Sequence, residues 1–171
     1  MTIQIGQKAP DFHLQGVVEG KIMAGTFSLS DCKGKWVIVF FYPLDFTFVC
    51  PTEIIEFNKR YKEFTDINTV ILGISVDSVY SHEAWAKDIG KISYPLLSDM
   101  TKSASKDYGV LIEDQGIALR GTFIIDPDQN VRCQVVHDIN IGRSVSEHLR
   151  VLKALQGGNL CQVEWTPGSK T

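Results

Sequence analysis

The sequence predicts an α/β fold in which a central mixed β-sheet is flanked by helices. Two near-continuous apolar runs of strand length, residues 36–42 and 70–76, read as strands covered on both faces, and an amphipathic helix lies between them. Strand, helix and strand then make a right-handed βαβ unit with parallel pairing.

The elements follow in order. Trp36-Val-Ile-Val-Phe-Phe-Tyr42 is opened by Lys33-Gly-Lys, closed by Pro43, and is the predicted central strand. Over residues 51–64, Ile54, Ile55, Phe57, Tyr61 and Phe64 recur at helical spacing, with Glu53, Glu56, Lys59, Lys62 and Glu63 largely between them. Val70-Ile-Leu-Gly-Ile-Ser-Val76 is the second buried strand. Further helices are predicted over about 81–89, 101–107 and 145–155, and a hairpin runs 121–126, turn 127–130, 131–137. This order is the thioredoxin-like arrangement among the common folds. With no repeat, low-complexity segment or linker, residues 1–171 are expected to form one domain, in which 156–171 is a C-terminal tail.

Composition narrows the function classes. A net charge of −3, with neither sign gathered into a run, gives no footprint for nucleic acid or for a membrane surface. Met1-Thr-Ile-Gln-Ile-Gly lacks the basic and apolar regions of a signal peptide, and no apolar run has spanning length, so a cytoplasmic protein is expected. The four cysteines, at 32, 50, 133 and 161, include no Cys-x-x-Cys pair. His13, His82, His137 and His148 show no paired metal spacing, and Asp126-Pro-Asp-Gln-Asn130 lacks the glycine and glutamate of a calcium loop, so it reads as the hairpin turn. No motif for haem, flavin or metal is present, and no cofactor is expected.

The chemistry is expected where the first strand enters the first helix, at Pro43-Leu-Asp-Phe-Thr47-Phe-Val-Cys50-Pro51-Thr52-Glu53. Proline suits the first helical position, which makes Cys50 the predicted cap facing free N–H groups, with Glu53 third in the helix as in a capping box. The helix start carries about half a positive charge and favours a thiolate over a thiol. A cysteine here can also simply pack, and its neighbours decide between the two.

Pro43-x-x-x-Thr47-x-x-Cys50, within Phe40-Phe-Tyr-Pro-Leu-Asp-Phe-Thr-Phe-Val-Cys-Pro-Thr-Glu53, resembles the signature of the peroxiredoxins. The likeness extends over nearly the whole chain, including Gly6-Gln-Lys-Ala-Pro-Asp-Phe12, Leu72-Gly-Ile-Ser-Val-Asp77, Tyr94-Pro-Leu-Leu-Ser-Asp99, Leu119-Arg-Gly-Thr-Phe-Ile-Ile-Asp126 and Ile141-Gly-Arg-Ser144. The subfamily it resembles is the typical two-cysteine peroxiredoxins of the alkyl hydroperoxide reductase C, or thiol-specific antioxidant, type. The resemblance implies a thiol peroxidase reducing hydrogen peroxide and organic hydroperoxides. Cys50 would attack the peroxide and become a sulfenic acid, Thr47 would hydrogen-bond thiolate and peroxide, and Pro43 would shield the sulfur. Arg120 would stabilise the charge moving along the O–O bond, with Glu53 and Arg143 orienting it.

Leu160-Cys161-Gln-Val-Glu-Trp165-Thr-Pro-Gly-Ser resembles the resolving-cysteine segment of that subfamily, departing from it at Gln162, where proline is usual, and in a shorter connector containing Gly157-Gly158. The resemblance implies an intersubunit disulfide between Cys50 and Cys161, a homodimer, and a decameric ring of dimers joined near residues 80–82. It also implies recycling by thioredoxin or a flavoprotein disulfide reductase. Cys32 and Cys133 read as packing residues and Trp85 as core that could wall the site. The rival readings are a one-cysteine peroxidase, disfavoured by Cys161, and a thioredoxin-fold holdase chaperone or binding module without turnover. The latter gives no reason for Pro43, Thr47, Cys50 and Arg120 to occur together.

In peroxide-sensitive members a Gly-Gly-Leu-Gly insertion and a C-terminal Tyr-Phe helix pin the peroxidatic helix. Ala86-Lys-Asp-Ile-Gly-Lys-Ile-Ser-Tyr94 lacks the insertion, and the sequence has no Tyr-Phe segment after Trp165. Resistance to overoxidation is therefore expected. Mass spectrometry of Cys50 during turnover at millimolar-scale peroxide checks this, and ready accumulation of sulfinic acid refutes it.

Overall fold

The computed structural model describes residues 3–169. In chain order its strands are β1 (His13–Val18), β2 (Lys21–Ser28), β3 (Trp36–Phe41), β4 (Thr69–Ser75), β5 (Leu96–Ser98), β6 (Leu111–Ile112), β7 (Ile117–Ala118), β8 (Arg120–Ile125) and β9 (Val131–His137). The helices are α1 (Cys50–Lys59), α2 (Tyr61–Thr65), α3 (Val79–Ile89), α4 (Ser103–Asp107) and α5 (Val145–Gly157). One sheet runs β2-β1-β5-β4-β3-β8-β9, and β6 with β7 makes a small ribbon. Strands β3, β4 and β5 are parallel, while β1, β2, β8 and β9 pair antiparallel on either side, giving the mixed sheet of the expected fold class.

Alternation along β3 divides the core. Val37, Val39 and Phe41 face one side with Phe12, Ala104, Tyr108 and Phe123, and Ile38, Phe40 and Tyr42 face the other. On that second side lie Ile54 and Phe57 of α1, Trp85 of α3, and Leu149 and Leu152 of α5. A strand buried on both faces has no polar side chain to alternate, which is why β3 reads as an unbroken apolar run. The parallel pairing of Phe41 with Ile74 brings the chain out at the carboxyl edge of β3. Antiparallel pairing of Phe40 with Thr122 sets Arg120, at the start of β8, beside that exit.

Three features differ from the sequence expectation. The N-terminal hairpin was not predicted; it turns through Glu19 (φ 52°) and Gly20 (φ 77°), and its outer strand is largely exposed, so no buried face marks it. The short β5 was not predicted either. The single helix over 51–64 is two helices broken at Arg60 (φ −100°, ψ 9°), whose side chain bonds Glu63 and Ser146. Phe57 and Phe64, seven apart, stay on one face and 5.9 Å apart across the break, so the periodicity does not register it.

His148 of α5 is buried, its ring parallel to Phe57 at 6.4 Å, and its Nε2 has no hydrogen-bond partner among the described residues. Burial, with Arg143 adding to it, pushes its pKa down to about 4. The unfolded chain takes up this proton near pH ~6.5, so between there and about 4 the unfolded state binds more protons. The stability from keeping His148 neutral is complete above that window and is lost as pH falls through it, by roughly 3 kcal/mol at most. Denaturant unfolding of the native chain should weaken more steeply from pH 6.5 to 4.5 than that of His148→Leu; parallel pH profiles would refute the neutral burial.

Candidate active site

Pro43 cannot continue the ladder and ends β3 where Tyr42 gives its last bond, N–H to Ile74 O, at 3.0 Å. The loop that follows turns through Phe46, in the left-handed region at φ 56°, and returns to the sheet edge as α1. Pro43, Leu44, Thr47, Phe48 and Val49 line one wall of a pocket of about 240 Å³, and Ile117, Arg120, Ile139 and Asn140 line the other. Cys50, which follows the lining residue Val49, is fully buried.

The helix start differs from the expected cap. Val49, with helical φ −87° and ψ −41°, is the N-cap, so Cys50 is the first helical residue and Pro51 the second. Glu53 consequently lies one place beyond the capping-box position. Its carboxylate leaves the helix start altogether: Oε2 accepts from Arg120 Nη1 at 2.7 Å, and Oε1 accepts from Arg143 Nε at 2.9 Å and Arg143 N at 3.0 Å. The sulfur keeps its place in the first turn, near the positive end of the helix.

Arg120 Nη1 also donates to Cys50 Sγ at 3.2 Å, and its Nε donates to Ile139 O at 2.8 Å. Arg120 Nη2 makes no hydrogen bond among the described residues and is not a fully buried orphan. Arg143 is more deeply set. It donates to Thr122 Oγ1 at 2.9 Å, Gly121 O at 3.1 Å and Phe41 O at 2.6 Å, with its Cζ 5.1 Å from the Phe40 ring centroid. Burial draws the Arg143 pKa below its ordinary value, and Glu53 opposes this. Two buried guanidinium groups against one carboxylate leave a positive charge unbalanced, and an ionised sulfur beside Arg120 would offset it.

Cys50, Pro43, Arg120, Glu53 and Arg143 are thus brought together from three separate stretches of chain. Thr47 lines the same pocket, but its hydroxyl donates to Leu44 O at 2.9 Å and not to the sulfur, as the resemblance implied. Cys161 lies elsewhere. α5 ends at Gly158 in the left-handed region, and Cys161 stands exposed in the tail beside Arg150, Leu155 and Asn159. Arg150 Nη1 holds the tail through Trp165 O at 2.8 Å. All four cysteines are free. Burial pushes the Cys32 thiol up to about 11 and raises that of Cys133, which suits packing residues.

A polar network under the loop was not anticipated. Asp45 accepts from Tyr42 Oη at 2.9 Å and Ser81 Oγ at 2.8 Å and pairs with His82 Nδ1 at 2.8 Å, while His82 Nε2 lies 3.2 Å from Leu97 O. Asp45 N donates to Asp77 Oδ2 at 2.9 Å. A histidine without metal spacing carries no pattern of its own; its partner lies 37 residues away. Of the segment 80–82, Tyr80 is exposed and His82 completely buried. Trp85 is core, packed 5.9 Å from Tyr42 and 6.2 Å from Phe46, and does not line the pocket.

Comparison with known proteins shows the family. The model of the AhpC/TSA family matches residues 5–134. The chain is 52% identical to peroxiredoxin prdx-2 of Caenorhabditis elegans over 98% of its own length and 87% of that protein's. It is 49% identical to a mitochondrial thioredoxin-dependent peroxide reductase of Drosophila melanogaster, covering 98% and 75% of the two. The reduced 2-Cys peroxiredoxin of Plasmodium vivax superposes with a TM-score of 0.92 at 43% identity, over 97% of this chain and 91% of that one. With the mixed sheet and these relatives in agreement, the chain belongs to the AhpC/TSA family and is a peroxiredoxin of the two-cysteine type.

Proposed function

We propose that this thiol-dependent hydroperoxide reductase works through Cys50 as the attacking sulfur, Arg120 as the group that stabilises the reacting oxygens, and Cys161 as the resolving thiol. The observation that carries the reading is the hydrogen bond of 3.2 Å from Nη1 of Arg120, which lines the pocket, to Cys50 Sγ. The thiolate bonds to the terminal oxygen of ROOH as the O–O bond breaks. The departing alkoxide takes a proton and leaves as ROH or water, and the sulfur remains as a sulfenic acid. Arg120 presents a planar fork of donors, and Nη2 is the one left for the peroxide. Glu53 and Arg143 hold that guanidinium in place. Thr47, whose proton is committed to Leu44 O, offers lone pairs to the peroxide O–H. Pro43 keeps water from the sulfur. The apolar lining from Leu44, Phe48, Ile117 and Ile139 suits organic hydroperoxides as well as hydrogen peroxide.

Cys161 then condenses with the sulfenic acid, forming the disulfide and releasing water, and a dithiol donor returns both thiols. A thioredoxin-type donor is favoured by the Drosophila relative's name. The tail cysteine is read as meeting Cys50 of a second copy, so the unit is a homodimer. The exposed Phe48, Tyr80 and Met100 are read as the contacts that join dimers into a ring. A cycle that consumes reduced dithiols, in a chain with four free cysteines, suits the cytoplasm. Residues 1–171 act in this reading as one domain, with 156–171 the tail that delivers the resolving thiol.

In a peroxide-consumption assay with a thiol reductant, Cys50→Ser should abolish turnover while the fold is kept, and Arg120→Ala should lower kcat/KM for peroxide by about 100-fold or more. Retained activity in Cys50→Ser would sink the assignment. After peroxide treatment, non-reducing electrophoresis should show a linked dimer that Cys161→Ser cannot form. An internally bridged monomer would instead mean that the Gly157-Gly158 connector routes Cys161 to its own chain.

A further inference from the structure

Cys50 is fully buried and Cys161 is exposed in a separate part of the chain, so a disulfide between them requires the sulfur to leave its place in α1. How far the helix must come apart depends on what holds each turn. The first turn is held by charge: Glu53 binds Arg120 and Arg143, and Arg120 binds Cys50. Oxidation of the sulfur to a neutral sulfenic acid removes one member of that set.

The later turns are held differently. Ile54 O, which the helix gives to the N–H of Asn58, also accepts from Tyr94 Oη at 2.9 Å. Asn58 Oδ1 accepts from Ser93 N at 2.8 Å, and Asn58 Nδ2 donates to Lys91 O at 3.0 Å. Three bonds therefore tie α1, from Ile54 onward, to the segment 91–94. That segment is fixed in turn, because Tyr94 is completely buried against Phe40 at 5.9 Å and the next residue, Pro95, accepts from Gly73 of β4 at 3.1 Å. None of these groups changes charge when Cys50 is oxidised.

We propose that Tyr94 and Asn58 are positioning residues that stop the oxidation-driven unwinding of α1 at Ile54, and so set the balance between disulfide formation and further oxidation of Cys50. The proposal rests on Cys50 being the oxidised sulfur. Opening confined to the first turn keeps the remainder of α1 as a template on which the pocket reforms after reduction. Without the staple a longer segment opens, and the sulfenic acid reaches its partner thiol more readily.

The test uses the full chain with Tyr94→Phe and Asn58→Ala, measured by hydrogen exchange of the disulfide form and by the ratio of disulfide to sulfinic acid at fixed peroxide. In the native sequence, the amides of residues 52–54 should exchange freely while 58–60 stay protected. Tyr94→Phe should raise exchange at 58–60, and the disulfide-to-sulfinic ratio, by roughly two- to tenfold, the worth of one hydrogen bond, and Asn58→Ala, which removes two, by at least as much, with the rate constant for peroxide attack unchanged in both. Loss of protection through residue 60 in the native disulfide form would overturn the proposal, as would an unchanged ratio in both variants. If Tyr94→Phe does not fold, Asn58→Ala at its half-buried position decides alone. Failure of the native protein to consume peroxide would instead refute the peroxidase reading. The staple would then still be tested by exchange in the reduced state, where both variants should loosen 58–60.

Discussion

The cluster around Cys50 depends on one carboxylate. Glu53 is buried between two buried arginines, and removing it would strand two positive charges in a region without solvent to compensate them, a situation that costs about 3–5 kcal/mol when a buried pair is broken. Its position ties together pieces that share no local sequence: α1, the start of β8, and the loop before α5. Arg143 then reaches on to Phe41 O at the end of β3, so the ends of the two central antiparallel strands and the nucleophile's helix are locked by one set of charge-assisted bonds. The same set leaves its surplus positive charge beside the sulfur.

Much of this frame is written locally. β3 and β4 announce themselves because burial on both faces demands unbroken apolar runs, and α1 because its apolar residues repeat every third or fourth position. The N-terminal hairpin does not, since β2 faces solvent and its turn uses Glu19-Gly20 in place of the usual Asn or Asp before glycine. Cys50, Pro43, Thr47 and Arg120 were legible through a motif. The capping role given to Cys50 was not correct, because a proline can stand second in a helix as well as first, and the conformation of Val49 decides which. Glu53 was placed one position off in the helix for the same reason; its link to Arg120 and Arg143, 67 and 90 residues away, came only from the resemblance, since no local rule reaches that far.

Asp45 and His82 show the limit from the other side. Each is unremarkable in its own stretch of chain, and only the stacking of α3 against the loop makes them a pair. Asp45 sits between Pro43 and Thr47, so its bonds to Tyr42, Ser81 and His82 fix the loop that lines one side of the pocket. The loop is thereby rigid at its base, even though Phe46 and Phe48 project outward.

Cys161 is held near α5 by the bond of Arg150 to Trp165, and the residues lining its surroundings are distinct from those of the pocket lined by Arg120, the partner of Cys50. Under the proposed mechanism the two halves of the redox cycle are therefore separate targets for sequence change. Lengthening the connector, substituting Gln162 or losing the tail thiol alters how the oxidised sulfur is rescued while leaving the pocket that makes it reactive intact. Descent from such a chain can trade one rescuing partner for another by small steps, whereas any change in Glu53, Arg120 or Arg143 must be compensated all at once.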